Sequence, residues 1–326
     1  MSGGPIFIGG LAFSGKTPLR IALAAHPRIA MTRRTAMWER FNGSFGDLRR
    51  RENLDRCLDT MLADPSVAEL GLDRERLVSE LAAGPAEYLR LFGLMHAQHA
   101  QLLGKARWGD QMGALERSAD RVLAAFPDAY MVHMIRDPRT RYIAAAGRHR
   151  QRPGKLGWET ARWLRSVELA QRNQRRYPDR YRVVRYEQLA DDPDRTLRDV
   201  TAFVDEEYDP AMADALVAVS PSTDGAAGHS AITHCSGAAA FIDRYAGAQL
   251  AVFGYAIGNS RSTQPRFMLG RMADRAGLAV GRAAGSFGPG RLLNVKWSAV
   301  GGSRVKGEGW DEPTKARHRE PPGGLR

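Results

Sequence analysis

The stretch Pro5-Ile6-Phe7-Ile8-Gly9-Gly10-Leu11-Ala12-Phe13-Ser14-Gly15-Lys16-Thr17-Pro18 decides the fold, together with the alanine-rich run that follows it to His26-Pro27. Ile6, Phe7 and Ile8 form an apolar run ending in glycines, the pattern of a buried strand feeding a loop. From Pro18 to Ala25, Leu19 and Leu23 recur at helical spacing among alanines, the strongest helix formers. Pro27 disfavours helical backbone at His26 and stops the segment. Between strand and helix, residues 10–17 satisfy G-x-x-x-x-G-K-[ST] at every fixed position. Glycines let the backbone curl so that N–H groups point inward, and the helix that follows adds its positive end. Together these hold phosphate oxygens. Lys16 adds a point charge, and Ser14 and Thr17 add hydroxyl donors. The plain alternative is a strand–turn–helix whose glycines serve only the turn; the lysine and the flanking elements speak against it.

Working outward, Ile29-Ala30-Met31 predicts a second short strand, Tyr130 to Ile135 a third and Tyr181 to Tyr186 a fourth. Helical patterns cover 116–126, 158–176 and 193–204. Residues 47–107 are rich in Leu, Ala, Arg and Glu and predict a helical insertion, with breaks near Asp64-Pro65 and Gly84-Pro85. Strands alternating with helices imply an α/β fold: a central parallel sheet with helices on both faces. The chain has 326 residues, 43% of them hydrophobic, enough for one large core. Its net charge is +12, and residues 261–326 contribute +8 of it (13 Lys/Arg against 5 Asp/Glu). The expected division is therefore a nucleotide-binding domain over 1–260 and a basic extension over 261–326, with 300–326 too poor in apolar residues to fold. The modest excess on the body suits an anionic ligand and calls for no nucleic acid. No apolar run is long enough for a transmembrane segment. Nothing at the N-terminus reads as an export signal, so the expectation is a cytoplasmic protein with Cys57 and Cys235 reduced. His96 and His99 lie one helical turn apart, but no third ligand is near in sequence, and no metal is expected.

Taken alone, the loop motif points to a P-loop kinase or nucleoside triphosphatase. Four ordered blocks point elsewhere. The first is the loop with Ala25-His26-Pro27. The second is Arg107-Trp108-Gly109-Asp110, followed by Phe126-Pro127 through Arg136-Asp137-Pro138-Arg139. The third is Tyr186-Glu187-Gln188-Leu189 with Asp192-Pro193. The fourth is Phe241 to Gly247 with Phe253-Gly254-Tyr255. Over about 1–258 the chain resembles bacterial and Golgi-type sulfotransferases, which use 3′-phosphoadenosine 5′-phosphosulfate (PAPS) and release 3′,5′-ADP. The resemblance implies a P-loop nucleotide-kinase-like sulfotransferase fold and metal-free transfer to a hydroxyl or amine, on an acceptor such as a carbohydrate or lipid. It implies that the cofactor is bound around Phe13, Ser14, Gly15, Lys16, Thr17 and Pro18 on the 5′ side, and by Arg136 on the 3′-phosphate, with Ala144 further along the same unit.

Three positions depart from the family pattern. Phe13 stands where the family has a basic residue, a charge Lys16 is placed to supply. Ala144 stands where a serine follows the arginine by eight residues, leaving Thr140 or Arg141 as replacements. Thr32-Arg33-Arg34-Thr35 occupies the stretch where many relatives carry a catalytic glutamate. A basic pair cannot take a proton at neutral pH, so Glu39 and Asp110 are the candidate bases and Lys16 the third catalytic candidate. Two rivals stay open: a kinase or NTPase using Mg-ATP, and a catalytically impaired nucleotide-binding partner protein. Trp38, Phe41 and Phe45 read as core packing before acceptor pocket, and His133 as a core histidine before a catalytic one. The basic run Arg148 to Arg152 reads as a solvated loop before a steering patch. The basic 261–296 segment reads as a loose tail before a peripheral membrane contact.

Overall fold

Alternation along each strand sorts the core into two faces. Phe7 and Met131 point to one side; Ile6, Ile8, Val132 and Met134 point to the other, and all are buried. The computed structural model describes residues 3–33, 35–146, 154–219, 236–258, 272, 275–280 and 283. Arg34, the Arg148–Arg152 run, Cys235, most of 261–296 and the 300–326 tail lie outside the described residues, as does the expected boundary near 260.

Five strands form one parallel sheet. They are β1 (Ile6–Gly9), β2 (Ile29–Met31), β3 (Arg107–Gln111), β4 (Tyr130–Ile135) and β5 (Tyr181–Arg185), in the order β2-β3-β1-β4-β5. Register places Ile6 beside Gly109 on one side and Tyr130 on the other, and Ile135 beside Arg185. Helix α1 (Lys16–Ala25) connects β1 to β2. The insertion between β2 and β3 carries α2 (Met37–Phe41), α3 (Arg51–Leu62), α4 (Pro65–Ala68), α5 (Arg74–Ala82) and α6 (Tyr88–Leu102). A 3₁₀ turn (Leu115–Arg117) and α7 (Ala119–Ala125) lead to β4. After β4 come α8 (Pro138–Ala146) and α9 (Lys155–Arg176). After β5 come α10 (Tyr186–Asp191), α11 (Pro193–Phe203), α12 (Ala211–Val219) and α13 (Ser236–Val252). The insertion helices bury Phe7 on one face; α1, α11 and α12 bury Ile6 and Ile8 on the other. A third cluster at the strand ends joins Leu11, Ile135, Trp163 and Phe241.

Strand β3 was not expected: the helical insertion was placed over 47–107, so only Arg107 of β3 fell within it, and the strand lies inside the sheet between β2 and β1. Its sequence, Arg-Trp-Gly-Asp-Gln, lacks the apolar run that marks a buried strand. The polar side chains are tolerated because distant groups satisfy them. Arg107 donates to the carbonyls of Gly4 and Val204 and lies 3.4 Å from Glu206, and Asp110 accepts from the Thr32 hydroxyl at 2.6 Å. The helix expected over 116–126 is broken at Ser118 into the 3₁₀ turn and α7. Trp38, Phe41 and Phe45 are core residues, as read from sequence. Among the described residues, no helix is long and apolar enough to cross a membrane.

Candidate active site

The loop between β1 and α1 curls because its backbone takes positive φ three times, at Gly10 (φ 122°), Phe13 (φ 65°) and Gly15 (φ 88°). Gly15 has a second reason to be glycine. A Cβ there would lie 2.3 Å from Cδ2 of Tyr186. The Ser14 hydroxyl donates to the Leu11 carbonyl at 2.7 Å and is buried, so it closes the loop on itself. Gly15 caps α1 without a side-chain hydrogen bond, which leaves the positive helix end to a ligand. Pro18, in that first turn, brings no N–H. Thr17 is exposed, and Lys16 reaches across to the Met112 carbonyl at 3.4 Å.

Arg136 follows the last residue of β4. Its Nε donates to the Thr140 hydroxyl at 3.3 Å, and its guanidinium lies 4.4 Å from the centre of the Tyr186 ring. Tyr186 begins α10 at the end of β5, so one aromatic ring touches both Arg136 and the space above Gly15. The strand ends thus bring Gly15 and Arg136 together about Tyr186, a residue the sequence places only at the end of an expected strand and at the start of the third resembling block. Its signal was register: β5 stops one residue earlier than predicted, which frees Tyr186 to turn over the loop.

Of the two suggested replacements for the serine, Thr140 braces Arg136 and Arg141 braces the loop. The buried Arg141 guanidinium donates to the Ala12 carbonyl at 3.3 Å and pairs with Glu159 at 2.7 Å. Burial works to raise the Glu159 carboxyl, but Arg141 and Arg162 outweigh it and hold the group below its ordinary value. Ala144 lies on α8, partly buried and with no polar atom to offer.

The two candidate bases differ in setting. Glu39 on α2 accepts through Oε1 from the Gly113 N–H, one residue beyond the carbonyl that Lys16 contacts. The end of β3 therefore brings Lys16 and Glu39 together. Asp110 is 1% exposed and committed to Thr32, with His96 Nε2 at 3.7 Å. Arg33 is exposed. His133 donates to or accepts from the Tyr181 hydroxyl at 2.9 Å and the Ser166 hydroxyl at 3.3 Å; burial, the largest effect, lowers its proton affinity and keeps it neutral. Glu187 ties elements together, accepting from the Asp137 N–H and the Tyr255 hydroxyl. His96 and His99 each point Nδ1 at a carbonyl, of Phe92 and Leu70. Among the described residues, no group of three His, Cys, Asp or Glu is arranged to hold a metal.

Solved structures similar to this chain include several sulfotransferases. The sulfotransferase domain of the Synechococcus PCC 7002 olefin synthase is 21% identical, covering 67% of this chain and 81% of its own, with a TM-score of 0.44. Sulfotransferase STF9 from Mycobacterium avium is 14% identical, covering 79% and 78%, with a TM-score of 0.44. A sulfotransferase from Alicyclobacillus acidocaldarius is 21% identical, covering 72% and 97%, with a TM-score of 0.37. No curated protein matches. The assignment rests on the sulfotransferase family model, which matches residues 5–210 and so takes in the loop, the Arg136 strand end and Tyr186. This chain belongs to the sulfotransferase family.

Proposed function

We propose that this protein transfers a sulfuryl group from PAPS to an acceptor hydroxyl. The observation that carries the reading is the meeting of the uncapped α1 N-terminus, Arg136 and the Tyr186 ring at the C-terminal ends of β1, β4 and β5. Open parallel sheets bind ligands at that edge. One end of the site suits the 5′-phosphosulfate and the other, through a planar guanidinium, the 3′-phosphate that separates PAPS from ATP.

Bound there, PAPS supplies an activated sulfuryl group whose transfer to a hydroxyl releases 3′,5′-ADP. The chain's part is positioning and charge neutralisation. Backbone N–H groups of residues 15–17 hold the 5′ side, and Lys16 places an ammonium where the departing phosphate gathers charge. Phe13 contributes backbone shape in place of the family's basic side chain. Glu39 is the proton acceptor for the hydroxyl, since the Gly113 N–H fixes its carboxylate beside Lys16. Asp110 is assigned to the fold, because its oxygens face Thr32 and His96 inside the protein.

Calorimetric titration with 3′,5′-ADP, with Mg-ATP, and with 3′,5′-ADP on Arg136→Ala tests the reading. The expected result is micromolar 3′,5′-ADP binding that weakens by roughly 10- to 100-fold in the variant, the value of a charge-assisted contact. Tight Mg-ATP binding indifferent to Arg136 would instead make this a kinase.

A further inference from the structure

Arginines gather on the 3₁₀ turn, α7 and α9, the elements next in the chain to, or packed against, the segment that anchors Glu39, with few free carboxylates beside them. Arg117 ends the 3₁₀ turn four residues past Gly113, the residue that holds Glu39. Arg121 on α7 is exposed and lies 5.7 Å over the Trp38 ring, next in sequence to Glu39. Arg162 and Arg165 come from α9, which is fastened to the 3₁₀ turn: Ser166 donates to the Glu116 carboxylate at 2.9 Å and Asn173 to the Glu116 carbonyl at 2.8 Å. Both remain more than a third exposed.

The nearby acids are already engaged. Asp120 lies against Arg172 and Arg176. Glu159 is buried on Arg141, with Arg162 at 3.4 Å, and Glu168 lies on Arg165. Glu116 faces inward, toward Ser166 and His133. Among the described residues, neither Arg117 nor Arg121 makes an ion pair with a carboxylate. The crowding is also felt electrostatically: burial lowers the proton affinity of Arg117, Glu116 opposes this, and Arg162 and Arg165 lower it further. A half-buried group of like charges raises the free energy of the folded state unless an oxyanion joins it.

We infer that the acceptor carries its own negative charge, a carboxylate, sulfate or phosphate held by Arg117, Arg121 and Arg162 while its hydroxyl meets Glu39. This deepens the sulfotransferase reading and rests on it. The same oxyanion chemistry could instead belong to the phosphosulfate of PAPS, and the experiment separates the two sources.

The full-length protein is titrated with two pairs of hydroxyl compounds that differ in one anionic group: 4-hydroxyphenylacetate against its amide, and a glucuronate-containing disaccharide against its glucose counterpart. Each is run with and without 3′,5′-ADP, on wild type and on Arg117→Gln/Arg121→Gln. The expected result is that the anionic member of a pair binds about tenfold more tightly, an advantage weakened by salt and lost in the double variant. The affinity for 3′,5′-ADP should stay within about twofold, as expected for sites with separate partners. The inference is overturned if neither anionic member outbinds its neutral partner, or if the double variant loses 3′,5′-ADP affinity, which gives these arginines to the cofactor. Wild type that fails to bind 3′,5′-ADP counts against the PAPS reading instead, and the titrations without nucleotide still decide whether these arginines prefer anions.

Discussion

Replacing Gly15 by alanine tests the geometry of the loop at its tightest point. Two costs add. Gly15 sits at φ 88°, and an L-residue in left-handed backbone costs about 1–2 kcal/mol. The new methyl would lie 2.3, 2.9 and 3.0 Å from Cδ2, Cγ and Cβ of Tyr186. Such overpacking costs about 1–3 kcal/mol where the neighbour cannot move aside. Tyr186 is poorly placed to move, since it starts α10 and packs under the Arg136 guanidinium. The total is about 2–5 kcal/mol. Gly43 provides the control: it has φ 78°, and nothing lies within 4 Å of its would-be Cβ. Gly43→Ala should therefore show the backbone cost alone, about 1–2 kcal/mol. Thermal melting and calorimetry with 3′,5′-ADP read the outcome. Gly15→Ala should lower the melting temperature by roughly 4–10 °C and weaken 3′,5′-ADP by ~30-fold or more. Gly15→Ala/Tyr186→Ala should regain the steric part of the stability, a coupling that a double-mutant cycle isolates. The reasoning fails if Gly15→Ala melts like Gly43→Ala and binds the nucleotide within about twofold of wild type.

Glu39→Gln keeps an acceptor for the Gly113 N–H and should fold normally and bind 3′,5′-ADP as before, while sulfuryl transfer falls by about 10²- to 10⁴-fold in single-turnover assays; unchanged turnover would remove Glu39 from the chemistry. Asp110→Asn should do the reverse, lowering stability by about 1–3 kcal/mol in urea melts with turnover per folded molecule retained. Arg141→Met leaves the half-buried Glu159 carboxylate with Arg162 alone and releases the Ala12 carbonyl, and should cost about 1–3 kcal/mol in the same melts. The Glu159 carboxyl is held below its ordinary value, so its stabilisation is complete above that value and is lost as pH falls through the lowered one. Stability measured from about pH 5 to 3 should decline, and Glu159→Gln should be less stable at neutral pH with a flatter decline.

Much of this fold is legible in the sequence because its signals are local. Ile6 to Thr17 carries its own periodicity, glycines and lysine, and Tyr130 to Ile135 is apolar enough to read as a buried strand without help. What escapes is whatever depends on partners far along the chain. Strand β3 is invisible because Arg107 and Asp110 look unfit for a buried strand until Gly4, Val204 and Thr32 are brought to them. The base is ambiguous for the same reason: Glu39 and Asp110 are equal as letters. Only the pairing of β3 with β1 puts Gly113 beside Glu39 and Lys16 while turning Asp110 inward. Tyr186 shows how small the missing information can be. One residue of register at the end of β5 moves it from the sheet to the ring that joins Gly15 and Arg136. Two of the places where the local rules fail lie in the loop itself: a bulky residue at positive φ, Phe13, and a glycine pressed against an aromatic ring, Gly15 against Tyr186. With a basic residue absent from the Phe13 position, the loop keeps the left-handed turn at φ 65°, and on the proposed reading the neutralising charge falls to Lys16. On that reading an electrostatic role moves between positions while the backbone shape of the loop stays in place.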